Sequence, residues 1–271
     1  MKKMIIAATG ALSADPGDPI VYRGAYEEIC AQAAADGYTA IEMHIEDSDA
    51  IDRQALWRAL DAYGLRLTSI GTGSIYFSKG YSLTSPDDQI RHACIAHLGR
   101  HMITAAPHGA VVIVGCVQGR LEKGQTPDEF LSLMADSLHQ LDELAENHGV
   151  TIGLEIMNRF ESDLLTTIDE GIAFVRKHAF RNVKLHLDTV HMNIEEAVIG
   201  DAIRRAGDLV GHIHLADNDR WYPGHAHYDF RETIDALKDI GYTGALALEV
   251  KPYPDAGTCG RMALAYLKEI V

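Results

Sequence analysis

The sequence predicts an α/β chain closed into a (β/α)8 (TIM) barrel. Three observations carry this. Eight short apolar runs recur at fairly even spacing, and the longer stretches between them are amphipathic and hold helix start and stop residues. The length of 271 residues is ordinary for such a barrel, which commonly has about 250. The runs cover 4–8 (MIIAA), 40–44 (AIEMH), 67–72 (LTSIGT), 110–115 (AVVIVG), 151–156 (TIGLEI), 183–188 (VKLHLD), 209–215 (LVGHIHL) and 245–250 (ALALEV). Strands alternating with helices make a parallel sheet, and eight such units favour closure over an open sheet.

In chain order, the first run sits in MKKMIIAATGALSA, which imitates a secretory leader. Its apolar stretch is short and broken by Thr9 and Gly10, and cleavage would remove the first strand, so 4–8 is read as that strand. After the third run, 74–84 is the longest irregular segment; over a barrel mouth it is a candidate lid. Ser85, Pro86 and Asp88 open the helix before the fourth strand. Thr126, Pro127 and Glu129 form a capping box with Pro at the first helical position, and Phe130, Met134, Leu138, Leu141 and Ala145 follow as one apolar stripe. Thr167 and Glu170 open the helix after the fifth strand, and Gly149 and Gly241 stand where helices end in a left-handed residue. No linker or low-complexity tract divides the chain, so 1–271 reads as one domain.

The formal net charge of −15 opposes binding to nucleic acid or to an anionic membrane. No run approaches the roughly 18 apolar residues of a membrane span. Cys30, Cys94, Cys116 and Cys259 lack CxxC spacing and read as free thiols of a cytoplasmic enzyme. Apolar outer helices are compatible with a homo-oligomer.

Active sites of such barrels form at the C-terminal ends of the strands. Glu155 ends the fifth strand, Asp188 the sixth and Glu249 the eighth, and His214 stands near the end of the seventh. Three buried carboxylates repel one another, and a divalent cation removes the repulsion. The oxygen-rich set suits Mn²⁺, the favoured ion, or Mg²⁺, with Co²⁺ or Zn²⁺ as further options. His186 and His212 each precede a proposed ligand by two residues and share its inward face. They read as packed interior histidines, or as donors that orient the ligands. His191, Arg220, His225 and His227 lie on the following loops, where cations suit an oxygen-rich or anionic substrate.

The segments 154–167 (LEIMNRFESDLLTT), 183–196 (VKLHLDTVHMNIEE), 211–230 (GHIHLADNDRWYPGHAHYDF) and 247–250 (ALEV) resemble the xylose-isomerase-like sugar epimerases, the group of D-tagatose 3-epimerase and 5-keto-L-gluconate epimerase. The segments 71–91 and 117–120 are similar to the keto-gluconate branch, and the resemblance runs along essentially the whole chain. It implies a metal on Glu155, Asp188, His214 and Glu249, with Glu155 and Glu249 also moving protons at the carbon beside a ketone. It further implies contacts from Glu161, His191 and Arg220 to substrate oxygens and from Arg120 to a substrate carboxylate. Gly224-His225-Ala226 departs from the Gly-x-Gly of relatives, and Ala tolerates positive φ poorly.

The expected function is therefore a metal-dependent epimerase that inverts the carbon next to the ketone of a ketose or keto-uronate through an enediolate. A substrate like 5-keto-L-gluconate or D-tagaturonate is favoured. The alternatives are an aldose–ketose isomerase acting on a compound such as hydroxypyruvate, a dehydratase of an inosose or keto acid, a nuclease on the same fold, and a non-catalytic sugar binder.

Overall fold

Eight parallel strands hydrogen-bond side by side around a closed ring in the computed structural model, which describes residues 4–271. They are β1 (Ile5–Ala11), β2 (Ala40–His44), β3 (Arg66–Gly71), β4 (Val111–Val114), β5 (Thr151–Glu155), β6 (Val183–Asp188), β7 (Val210–Leu215) and β8 (Ala245–Leu248). Each pairs with the next, and β8 closes the ring on β1, with Ile5 opposite Ala245 and Ala8 opposite Leu248. A two-residue strand, Tyr22–Arg23, lengthens the rim beside Gly10 and Ala11.

All eight apolar runs fall on these strands. The first strand continues through Thr9 and Gly10 instead of stopping at Ala8. The Thr9 hydroxyl is satisfied by the Leu248 carbonyl at 2.7 Å, and Gly10 lies so close to Ile29 that a Cβ there would sit 2.6 Å from Ile29 Cγ2. Lys2 and Lys3 of the leader-like segment lie outside the described residues.

Among the described residues ten α-helices surround or cap the ring: α1 (Tyr26–Ala35), α2 (Arg53–Tyr63), α3 (Ser74–Lys79), α4 (Asp88–Ala105), α5 (Pro127–His148), α6 (Ile168–His178), α7 (Thr189–Glu195), α8 (Ile199–Ala206), α9 (Phe230–Asp239) and α10 (Ala256–Ile270). The capping boxes of α5 and α6 form as their sequences require. Thr126 Oγ1 accepts from Glu129 N at 3.2 Å while Glu129 accepts from Thr126 N at 2.8 Å, and Thr167 and Glu170 do the same for α6. Gly149 and Gly241 take the expected left-handed backbone, at φ +65° and +70°. The α5 stripe of Phe130, Met134, Leu138, Leu141 and Ala145 is buried against the barrel.

Two expectations need correction. The start of α4 is two residues on from the one that Ser85 as cap and Pro86 as first helical residue would give. Asp87 is its cap, accepting from Gln89 N at 2.8 Å, while the Ser85 hydroxyl donates to Glu122 at 2.9 Å. The segment 74–84 is not wholly irregular. It opens with the six-residue helix α3, which Gly80 ends at φ +68°, and fewer than two turns are too short to show a period in sequence. Among the described residues no helix is long and apolar enough to cross a membrane. The four cysteines are free; Cys30, Cys94 and Cys259 are buried and Cys116 is half-buried.

The pairing register positions the chemistry. Asp188 stands opposite His214, His186 opposite His212, and Glu155 opposite His186. Two irregularities adjust this ring: between Leu185 and His186 the β7 partner skips Gly211, and between Ile41 and Glu42 the β3 partner skips Thr68. Bulges of this kind re-aim side chains beside functional sites.

Candidate functional site

A cavity of about 630 Å³ opens over the C-terminal ends of the strands. Glu155, Glu161, His191, His214, Arg220 and Glu249 line it, and Ser74, Phe77 and Ser78 of α3 form part of its wall. Asp188 lies at 0% exposure against this floor, joined to Arg220 Nη1 at 2.8 Å.

The four residues expected to ligate a cation converge. Ligand atoms of Asp188, His214 and Glu249 all lie within 4.8 Å of one another, and Asp188 belongs equally to a second such group with Glu155 and His191. His214 Nδ1 is 3.5 Å from Glu249 Oε2 and 3.9 Å from Asp188 Oδ2. Glu155 Oε1 is 3.4 Å from His191 Nε2, and Gly115 leaves it room, since a Cβ there would come within 2.2 Å of Glu155 Oε2.

Electrostatics explain why these charges survive burial. Burial pushes the Glu249 carboxyl up, but the Arg220 guanidinium and His214 outweigh that and hold it well below the usual carboxylate range. Burial pushes His191 down, and Asp188 and Glu155 overcome it, so its pKa rises to about 9. His214 follows the same logic: desolvation lowers it, and Glu42 and Glu249 raise it well above the ordinary value. The Cys116 thiol is pushed up to about 12 by burial and by Glu155, so it stays a protonated, unreactive wall residue.

Arg220 bridges Asp188 and Glu249 with its two terminal nitrogens, from a backbone held at φ +65°. That backbone is fixed on both sides: Arg220 N donates to the Asp217 carbonyl at 2.8 Å, and its own carbonyl accepts from Lys251 N at 2.8 Å. Buried Asp217 also gathers the loop by accepting from the amides of Gly224, Ala226 and Tyr228 at 3.1, 2.9 and 3.0 Å. Gly224 takes φ +91°, whereas Ala226 needs no left-handed backbone, so its side chain does not strain the loop.

The matched residues settle the family. The chain matches the family model described as xylose isomerase-like TIM barrel over residues 30–270. It belongs to that family. It is similar to the D-psicose 3-epimerase of Agrobacterium fabrum, at 33% identity over 230 residues, which is 83% of this chain and 78% of that one. It is similar to the L-ribulose 3-epimerase of Mesorhizobium japonicum, at 32% over 226 residues, 82% of this chain and 74% of the other. Its structure resembles that of the D-allulose 3-epimerase from Methylomonas sp. in complex with D-allulose, with a TM-score of 0.82, 26% identity and 100% of both chains covered.

Within this xylose isomerase-like barrel, three loop residues expected near the substrate stand elsewhere. Arg120 is captured by Asp163, with contacts of 2.8 and 3.2 Å, and by the Phe160 carbonyl at 3.1 Å; it does not line the cavity. His225 is stacked on Trp221, 4.3 Å between ring centroids, and paired with Asp219 at 2.8 Å. His227 is exposed and also lies off the cavity. Glu161 does line it, beside Asn158, whose Nδ2 is 3.4 Å from the Glu161 carboxylate and 2.6 Å from His191 Nδ1. Of the two interior histidines, His212 is hydrogen-bonded at 2.8 Å to Glu42, and His186 packs edge-on against His214 with no partner for either nitrogen among the described residues.

Glu42 is the residue under the site that the sequence hides best. It is fully buried and accepts from His44, His212, His214 and Ser69. Its one signal in sequence is the alternation in AIEMH, which puts Glu42 and His44 on one inward face. The cavity wall beyond the floor is acidic: it includes Asp15, Asp18, Glu46 and Glu161, while Arg220 is the one Arg or Lys among the described lining residues.

Proposed function

We propose that the chain is a divalent-metal-dependent ketose epimerase that inverts the carbon next to the ketone, with Glu155 and Glu249 as its two proton-transfer groups. The observation that carries this reading is their placement. The two carboxylates leave the ring at the end of β5 and just past β8, with β6 and β7 between them, and both close onto the same Asp188. Removing a proton beside a ketone gives a planar enediolate, and inversion then needs one base on each face. Glu155 and Glu249 supply one each. The His191 contact at 3.4 Å fixes one oxygen of Glu155, and the other lies over Gly115, which lines the same cavity.

The donor set fits a cation on an observation of its own. His214 Nδ1 is buried, has no hydrogen-bond partner among the described residues and faces two carboxylates. Glu155, Asp188, His214 and Glu249 would hold the ion; oxygen donors with one imidazole favour Mn²⁺ or Mg²⁺. Bound there, a divalent cation supplies the Lewis acidity that stabilises negative charge developing on the ketone oxygen.

The acidic wall supports an uncharged ketose over a keto-uronate. A substrate carboxylate would meet Asp15, Asp18, Glu46 and Glu161, and the arginine expected to receive it, Arg120, is held by Asp163. Incubation of C5 and C6 ketoses and of keto-uronates with the Mn²⁺-loaded protein in D₂O, followed by proton NMR, tests the reading. The expected result is deuterium at the carbon next to the ketone together with its epimer, faster with neutral ketoses. An aldose product would make the enzyme an isomerase, and an enone or dione would make it a dehydratase. Either product in place of the epimer would refute the proposal.

A further inference from the structure

Glu42 transfers no proton in the scheme above and lies below the cavity floor, yet its hydrogen bonds end on a proposed metal ligand. Its Oε1 is 2.8 Å from His214 Nε2 and 2.8 Å from His44 Nε2. Its Oε2 is 2.8 Å from His212 Nε2 and takes the Ser69 hydroxyl. The skipped Thr68 brings Ser69 opposite Glu42, and the skipped Gly211 sets His212 opposite His186, so both irregularities of the ring serve this cluster.

An ionised carboxylate only accepts hydrogen bonds. Three imidazole nitrogens at 2.8 Å and the Ser69 hydroxyl fill the acceptor positions of its two oxygens. Each of the three imidazoles therefore presents a proton at Nε2. For His214 the consequence is directional. The nitrogen that would give a lone pair to a cation, on losing its proton, is Nδ1, which is buried, without a partner among the described residues and 3.5 Å from Glu249 Oε2. His44, His214 and Glu42 are also close enough to form a cation site of their own. Their 2.8 Å separations are hydrogen-bond lengths, and hydrogen bonds account for them without an ion.

We infer that Glu42 is a positioning residue that fixes the His214 ring with its proton on Nε2 and so aims Nδ1 between Asp188 and Glu249 as a ligand for a divalent cation. This rests on the metal reading above. Partners of this kind orient a ligating imidazole and raise its basicity.

The test is the Mn²⁺ dissociation constant of Glu42→Gln against that of the unaltered protein, by competition with a chromophoric chelator. The amide offers one acceptor oxygen in place of two, and its NH₂ opposes a protonated Nε2. The constant is expected to rise about 10–100-fold, the usual effect of losing such a partner. Lower thermal stability with unchanged Mn²⁺ affinity would make Glu42 a packing residue and overturn the inference. A second measurement needs no variant: long-range ¹H–¹⁵N NMR of the unaltered Zn²⁺-loaded protein labelled at histidine. The His214 proton is expected on Nε2 with the metal on Nδ1, and the reverse assignment overturns the inference even if Glu42→Gln fails to fold. Unaltered protein that binds neither Mn²⁺ nor Zn²⁺ sinks the metal reading and this inference together, whereas tight binding by both proteins sinks this inference alone.

Discussion

Glu155→Gln and Glu249→Gln are each expected to lower kcat for epimerisation by roughly 10²–10⁴-fold, the range that a positioned acid–base group contributes. An amide can still offer an oxygen to a cation, but it cannot take or return a proton at neutral pH. The two variants should also differ from each other. One base removes the proton from a given epimer, and the other delivers a proton to the opposite face. The variant that keeps the removing base should therefore still exchange solvent deuterium into the unreacted ketose while forming little epimer. The variant that lacks it should do neither, and the assignments should swap when the reaction starts from the other epimer. Measuring exchange and epimer formation in the same NMR time course reads both. Near-normal turnover in either variant, with metal content unchanged, would remove that glutamate from the mechanism.

Removal of the metal is expected to have an equally large effect. Protein stripped with EDTA should be inactive and should regain activity with Mn²⁺. Stability should follow the same ion. A ligand at 100 times its dissociation constant stabilises the folded state by about 2.7 kcal/mol, and a domain of this size gains roughly 2–4 °C in Tm per kcal/mol. Saturating Mn²⁺ should thus raise Tm by about 5–10 °C over the chelated protein. The physical reason is local. Asp188 and Glu249 share one guanidinium, that of Arg220, and His214 Nδ1 faces both carboxylates without a partner. Full activity and an unchanged Tm after chelation, with no metal left by elemental analysis, would contradict this.

Much of the architecture is written locally. Each strand is a short apolar run, and each start of α5 and α6 is a capping box whose partners lie three residues apart, so a single chain read along its length contains them. The four converging residues are legible for a related reason: a barrel places successive strand ends at one height, so a carboxylate or imidazole at the end of each of four neighbouring strands must meet its fellows. Glu249 illustrates the tolerance of that argument, because it lies one residue past β8 and still reaches the cluster.

What sequence does not show is decided by partners far along the chain. Glu42 meets His212 and His214 across separations of 170 and 172 residues, in a register set by two irregular pairings that no local pattern marks. Arg120 has the right chemistry for a substrate carboxylate, but Asp163, 43 residues on, claims it. His225 and His227 fall on the expected loop, but Asp217 gathers the amides of that loop and neither histidine lines the cavity. The keto-uronate expectation rested on the similarity of 71–91 and 117–120 to the keto-gluconate branch, with Arg120 as the contact for a carboxylate. The acidic wall comes from scattered positions, Asp15 and Asp18 after β1, Glu46 after β2 and Glu161 after β5.

Crystals of the protein grown with Mn²⁺ and measured at the manganese absorption edge test the central claim most directly. The account predicts a single strong anomalous peak bonded to Glu155, Asp188, His214 Nδ1 and Glu249, with the Arg220 guanidinium displaced from between the two carboxylates it now bridges. A floor without any peak, or a manganese bound elsewhere while Arg220 keeps both carboxylates, would contradict it.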